Sequence, residues 1–285
     1  MKRLKTVRLA AAVAAMTFAL ACSGGQRRAV SQTTSLTEGV TTMAIDSLTL
    51  TTIKDNEGDK RMPNKLFYGD SDSAKVERLS PEGSVPSSVS CFIVETGGKK
   101  ILFDTGNGTA RGGKMLERLK AAGISPEDID FLVITHFHGD HIGGMTLGGK
   151  AVFTKAEVYV PDKEYASWLA MSSRNARNAM HAMSAYGSRL HRFNYGEPLP
   201  LGIKAMPAPG HTPGHTVYRI GRLFIAGDLM HGFDLQIKDL DICPDYDMDR
   251  EQAVESRRKY IEYVRQNKLI VAGMHFPGNG VKEAL

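Results

Sequence analysis

Cysteine and tryptophan are scarce in this sequence, and each shortage excludes something. Three cysteines and one tryptophan in 285 residues leave no room for a disulfide-stapled scaffold. Cys91 and Cys243 are far apart and lack metal-site spacing. An oxidising compartment would let them pair, but one buried thiol and one loop thiol is the expectation. Runs of one charge are also missing. The formal charge of +5 invites a nucleic-acid reading, yet the first 21 residues hold Lys2, Arg3, Lys5 and Arg8 and no acid. Without those four, 32 basic residues face 31 acidic ones. No basic run remains to grip a phosphate backbone, so nucleic acid is not expected as a partner. No internal repeat is visible. The apolar stretch Leu9–Ala21 falls short of the roughly 20 residues that span a bilayer.

That stretch, behind its basic start, has the form of a signal-peptide core. It ends in Ala19-Leu20-Ala21-Cys22 and then Ser23-Gly24-Gly25. This resembles a bacterial lipoprotein signal, which implies export and a lipid on Cys22, with the protein facing periplasm or exterior. Membrane contact is then expected only through that anchor. Residues 22–40, rich in Ser, Thr, Gly and Gln, read as a flexible tether of about 20–25 Å reach. Residues 41–285 are left as one catalytic-sized domain.

Within that domain, residues 41–54 alternate enough to be a strand, and residues 55–87 read as a long excursion rich in turn formers. SSVSCFIVET and KKILFDTG, joined by Gly97-Gly98, form a hairpin pattern. Residues 112–122 suit a helix closed by Gly123, and residues 161–187 one or two helices. A further strand pair falls in TVYRIGRLFIAGD, and DREQAVESRRKYIEYVRQN is a helix with Asp249 as its N-cap. KLIVAGMHF is a closing strand. Strands accompanied by helices predict a layered α/β domain.

What the chain does have is histidine and aspartate where strands stop. His136, His138, Asp140 and His141 follow FLVIT; His211 follows IKAMPAPG; Asp228 follows RLFIAG; His275 follows LIVAGM. Burying seven such groups apart from one another would cost several kcal/mol each in desolvation. Brought to one cleft, they are the donor set of zinc or a similar first-row ion. Seven ligands exceed one tetrahedral sphere and suit two ions about 3.5–4 Å apart.

HFHGDH, PGHTPGH, AGD and a late histidine, in that order, resemble the metallo-β-lactamase superfamily. The resemblance implies a four-layer αββα sandwich with two divalent metal ions in a cleft along one edge, zinc first, with iron or manganese as alternatives. It implies that His136, His138 and His211 hold one ion, that Asp140, His141 and His275 hold the other, and that Asp228 bridges them. A hydroxide shared by the two ions would then attack an electrophilic carbonyl carbon or phosphorus. Asp140 is a candidate for receiving or steering a proton. Asp104 matches an aspartate behind the ligand loop, and His215 is a catalytic or supporting candidate.

Asp228 stands where zinc β-lactamases have other residues. The stretch from GHTPGHT to HFPGNG looks most like the methyl parathion hydrolase and lactonase-like branch, which implies lactone, ester or phosphotriester substrates. A glyoxalase II-type thioesterase and a mononuclear iron sulfur dioxygenase are the alternatives, and a homodimer is left open. Candidate pocket-wall residues are Phe67, Tyr68, Trp168, Met171, Phe193, Tyr195, His231 and Phe233. His231, three positions after Asp228, also stands as a catalytic candidate. His181 and His191 are expected at the surface or in packing.

Overall fold

A computed structural model of the chain describes residues 30–69 and 73–285. The expected signal peptide, Cys22 and the first part of the tether lie outside the described residues. Two sheets carry the molecule. The first has eight strands in the order Thr34–Thr37, Val40–Ile45, Leu48–Lys54, Ser90–Thr96, Lys99–Phe103, Phe131–Val133, Glu157–Pro161 and Leu190–Phe193. The second has five, from Lys204–Pro207 through Thr216–Ile220, Leu223–Ile225 and Ile270–Ala272 to Val281–Lys282.

The period of two along the strands explains the layers. In Ser90–Thr96, Cys91 and Ile93 point to one face, where they pack with Leu119, Trp168 and Ala179 of helices Met115–Ala121, Asp162–Leu169 and Arg174–Ser184. Phe92 and Val94 point the other way and meet Tyr218, Ile225 and Ile270 of the second sheet. That sheet's outer face packs Phe224 and Val271 under Tyr260, Ile261 and Val264 of helix Arg250–Asn267. Helix, sheet, sheet and helix are thus stacked as the sequence reading expected. Asp249 caps the last helix by accepting a hydrogen bond from the Gln252 N–H at 3.0 Å.

Three local expectations are corrected. Residues 41–54 form two strands, not one, because Asp46 takes a left-handed turn (φ 56°) between Ile45 and Leu48. The tether does not run to residue 40: Val30 bridges to Ile45, and Thr34–Thr37 pairs with Val40–Ile45, so the chain is in the sheet before the domain was expected to begin. The 55–87 excursion holds a hairpin of its own, Lys60–Pro63 against Ser84–Ser87, with helix Ser73–Leu79 between. It packs Met62, Phe67, Val76 and Val85 against Leu235 and Ile242 and so forms one wall beside the cleft. Cys91 and Cys243 are both buried and unpaired, so the loop thiol is buried too.

Candidate metal centre

Strand direction places the ligands on one edge. Lys204–Pro207 and Leu223–Ile225 are each antiparallel to Thr216–Ile220, and Leu223–Ile225 is parallel to Ile270–Ala272. All three therefore end on the same side, and His211, Asp228 and His275 follow them. From the first sheet, Phe131–Val133 ends at Thr135, whose N–H and hydroxyl both donate to Asp104 (2.8 and 2.7 Å). The two sheets are tied at this edge: Thr216 N–H donates to the Thr135 carbonyl at 3.0 Å, and Ser90 N–H to that of Met274 at 2.9 Å.

A one-turn helix, Gly139–Ile142, then turns Asp140 and His141 inward. Its exit requires glycine. A Cβ on Gly143 would lie 2.1 Å from the Asn107 carbonyl oxygen, and one on Gly144 2.2 Å from that of Thr105. Glu164 braces the same loop from behind. Its carboxylate accepts from Phe137 N–H (2.9 Å) and the Trp168 indole (2.6 Å), and also from Thr212 hydroxyl (2.9 Å) and Gly214 N–H (2.8 Å) beside His211.

All seven expected ligands meet. His136 Nε2, His138 Nδ1, His211 Nε2 and an Asp228 oxygen form one group within 4.8 Å, and Asp140, His141 and His275 form a second. Asp228 lies between them, with Oδ2 3.3 Å from His211 Nε2 and 3.1 Å from His275 Nε2, and Oδ1 3.2 Å from His141 Nε2. The outer nitrogens fix the tautomers. His141 Nδ1–H donates to Asp104 (2.7 Å), His211 Nδ1–H to Asp247 (2.9 Å) and His275 Nδ1–H to the Ser88 carbonyl (2.8 Å). His136 Nδ1–H donates to the Thr135 hydroxyl (3.0 Å), which is itself spent on Asp104.

The inner Nε2 atoms therefore present lone pairs to one another and to carboxylates. Buried His141 Nε2 and Asp228 Oδ1 make no hydrogen bond at all. Acceptors crowded at about 3 Å repel unless protons or metal cations lie among them. The donor set fits two such ions.

Charge follows the same logic. Burial alone would raise the Asp228 carboxyl, but His141 and His275 outweigh it and hold it well below the usual range. Burial depresses His211, yet Asp228 and Asp247 carry it up to about 9. His141 is likewise raised by Asp228 and Asp104 against the pull of burial.

Three other sequence candidates resolve differently. Asp104 stands behind His141 as expected, held at φ 58°. His215 is not a catalytic group. Its Nδ1 donates to the Ala208 carbonyl (3.0 Å) and its Nε2 accepts from Asp228 N–H (2.9 Å), so both nitrogens are spent on positioning the Asp228 loop. His231 joins the cleft, with Nε2 3.1 Å from Asp228 Oδ2, its ring stacked on His275, and Nδ1 buried without a hydrogen bond.

A cavity of about 410 Å³ opens over the cluster, lined also by Lys60, Met62, Asn175 and Tyr246. Of the expected wall residues, Phe67, Phe193 and Phe233 are instead core, Tyr195 donates to or accepts from Thr216 (2.8 Å), Met171 packs against the helices, and Tyr68 is bonded to Glu77. Trp168 lines a second cavity next to the first. Among the residues missed were Asp247, Glu164 and Tyr246. The acid-rich stretch 239–249 was a signal, but nothing local separates Asp247 from Asp245 or Asp249. His181 and His191 lie away from the cleft, the latter stacked on Tyr159.

Comparison with known proteins agrees with this geometry. Residues 85–273 match the family described as "Metallo-beta-lactamase superfamily". The chain is 27% identical over 222 residues to an N-acyl homoserine lactonase of Bacillus thuringiensis, covering 68% of this chain and 83% of that one. Among solved structures it resembles AidC, a dizinc quorum-quenching lactonase captured with the product N-hexanoyl-L-homoserine (TM-score 0.78, 25% identity, 85% of this chain and 92% of the other). It also resembles the hydrolase AbOPH (TM-score 0.78, 27% identity, 85% and 92%).

Proposed function

The chain belongs to the metallo-β-lactamase superfamily, on its lactonase-like branch, and from that premise we propose that it is a dinuclear hydrolase of lactones and related esters, with phosphotriesters as secondary substrates. The observation that carries this is the convergence of inward ligand atoms, with the outer nitrogens of His136, His141, His211 and His275 already committed. His136, His138 and His211 would hold one divalent ion and Asp140, His141 and His275 the other, with Asp228 common to both. Zinc is the first candidate. Such a pair, when bound, brings the pKa of water toward about 7 and takes up charge developing on the substrate oxygen.

The protein's own groups supply the rest. Asp140 borders the cavity; burial would raise its carboxyl, but His141 and His275 hold it at about 2, so it is an anion at neutral pH and can receive a proton. Burial keeps His231 neutral, near 4 despite Asp228. With its Nε2–H donated to Asp228, its buried Nδ1 is left as an acceptor without a partner. Tyr246, 5.4 Å from the His231 ring, lines that side of the cavity.

Elemental analysis of the purified protein, followed by turnover of N-acyl homoserine lactones, thioesters, phosphotriesters and β-lactams, tests the proposal. Two zinc-like ions per chain with lactones turned over best is the expected result. One iron per chain with oxygen uptake would overturn it. Export with a lipid on Cys22 belongs to the same proposal and rests on sequence. A palmitate analogue fed to cells should label the wild type and spare Cys22→Ser.

A further inference from the structure

The cleft has a second lobe. A cavity of about 310 Å³ shares His138, Gly139 and Asn175 with the one over the metal ligands. Its floor is apolar, formed by Phe137, Ile142, Trp168 and Ala182, and its wall carries Arg111 with Asn107 and Asn178. Arg111 reaches this place because residue 139 has no side chain: a Cβ there would lie 1.9 Å from a guanidinium nitrogen. The guanidinium therefore rests on the backbone between His138 and Asp140, two of the metal ligands. Among the described residues, no carboxylate pairs with Arg111, nor with Arg78, Arg174, Arg177, Arg189 or Arg219, but of these Arg111 alone lines this lobe. A planar cation with a free fork, flanked by amides and placed above an apolar floor, matches a short hydrocarbon arm ending in a carboxylate.

We propose that this lobe receives the acyl arm of the substrate and that Arg111 binds a carboxylate at its far end. The inference rests on the hydrolase reading and adds to it a class of substrate: lactones or esters whose acyl arm is a half-acid. A guanidinium that is still solvated gains about tenfold from such a contact.

Calorimetric titration of the metal-loaded protein with butyrate and hexanoate against succinate, glutarate and adipate reads this directly. Kinetics on a γ-lactone with a carboxylate-ended acyl arm, and on its methyl ester, run beside it. A diacid of matching length should bind about tenfold more tightly than its monoacid. Arg111→Ala should abolish that difference, Arg111→Lys should keep part of it, and kcat/KM should fall for the carboxylate substrate alone. Equal binding of mono- and diacids by the wild type would overturn the assignment. So would equal weakening of both by Arg111→Ala and by Lys60→Ala, the other cation on the cleft, because general attraction would then suffice. If neither lactone is turned over while the diacid preference stands, the hydrolase reading has failed and the anion site has not.

Discussion

At the residue scale, the centre works by opposition. Asp104, Thr135, Asp247 and the Ser88 carbonyl each take an outer proton from a histidine, and that alone turns the inner nitrogens into ligands. Without a cation and against the pull of burial, Asp228 and Asp247 carry His211 up to about 9 and Asp228 and Asp104 keep His141 raised, so protons compete with metal for the inner nitrogens of both. Metal must displace those protons. Apparent zinc affinity should therefore rise with pH from 7 toward 9, with proton release on loading at pH 7. Titrations in buffers of different ionisation enthalpy would count them; pH-independent affinity would contradict the charge assignment. Asp104 gives a second expectation. Asn tolerates its left-handed backbone but offers no anion to His141 and sets an amide N–H against donors of Thr135 or His141, so Asp104→Asn should lose about 10–100-fold in metal affinity or activity and some stability with it. Metal content and kcat/KM measured on one sample would show it.

At the scale of elements, the loops that carry ligands are joined by side chains from elsewhere. Glu164, on helix Asp162–Leu169, accepts from the loop of His136 and His138 through Phe137 and from the loop of His211 through Thr212 and Gly214. One carboxylate thus fixes the spacing of two ligand loops. Gln has the same shape but must aim an amide N–H at donors on one side. Glu164→Gln should cost about 2–4 kcal/mol in stability and lower activity as well. A urea midpoint unchanged from the wild type would refute the bracing role. This contribution was illegible beforehand, because a glutamate in a helix reads as a solvated face. The strand-end histidines were legible for the opposite reason: an apolar run followed by several imidazoles has no ordinary turn chemistry to explain it. Local signals failed where pairing is long-range. Lys60–Pro63 finds its partner Ser84–Ser87 only after an intervening helix, and no period in either segment announces the other.

Across the whole molecule, stability comes from three packed interfaces and not from covalent links. The two described cysteines are buried in different cores and unpaired, Cys91 among the first-sheet residues and Cys243 beside Arg257. The melting temperature should therefore be the same with and without reductant, and a drop on adding dithiothreitol would reveal a bridge this fold does not contain. The cleft lies where both sheets end together, and its outer lobe is bounded by Arg174–Ser184 on one side and by the Gly139–Ile142 turn on the other. Substrate choice belongs to this scale, since no single element encloses the cavity.

The amino-acid order by itself determined the donor inventory, the alternation that sorts each strand into two faces, and the Asp249 cap that starts the last helix. These are local properties, set by residue type and by periods of two and 3.6. Tertiary structure decided which nitrogen of each histidine faces inward, which of several aspartates stands behind His211, and that His215 serves the backbone of Asp228 and not the substrate. Those choices depend on hydrogen-bond partners far away along the chain, and only cross-sheet pairing brings such partners within about 3 Å.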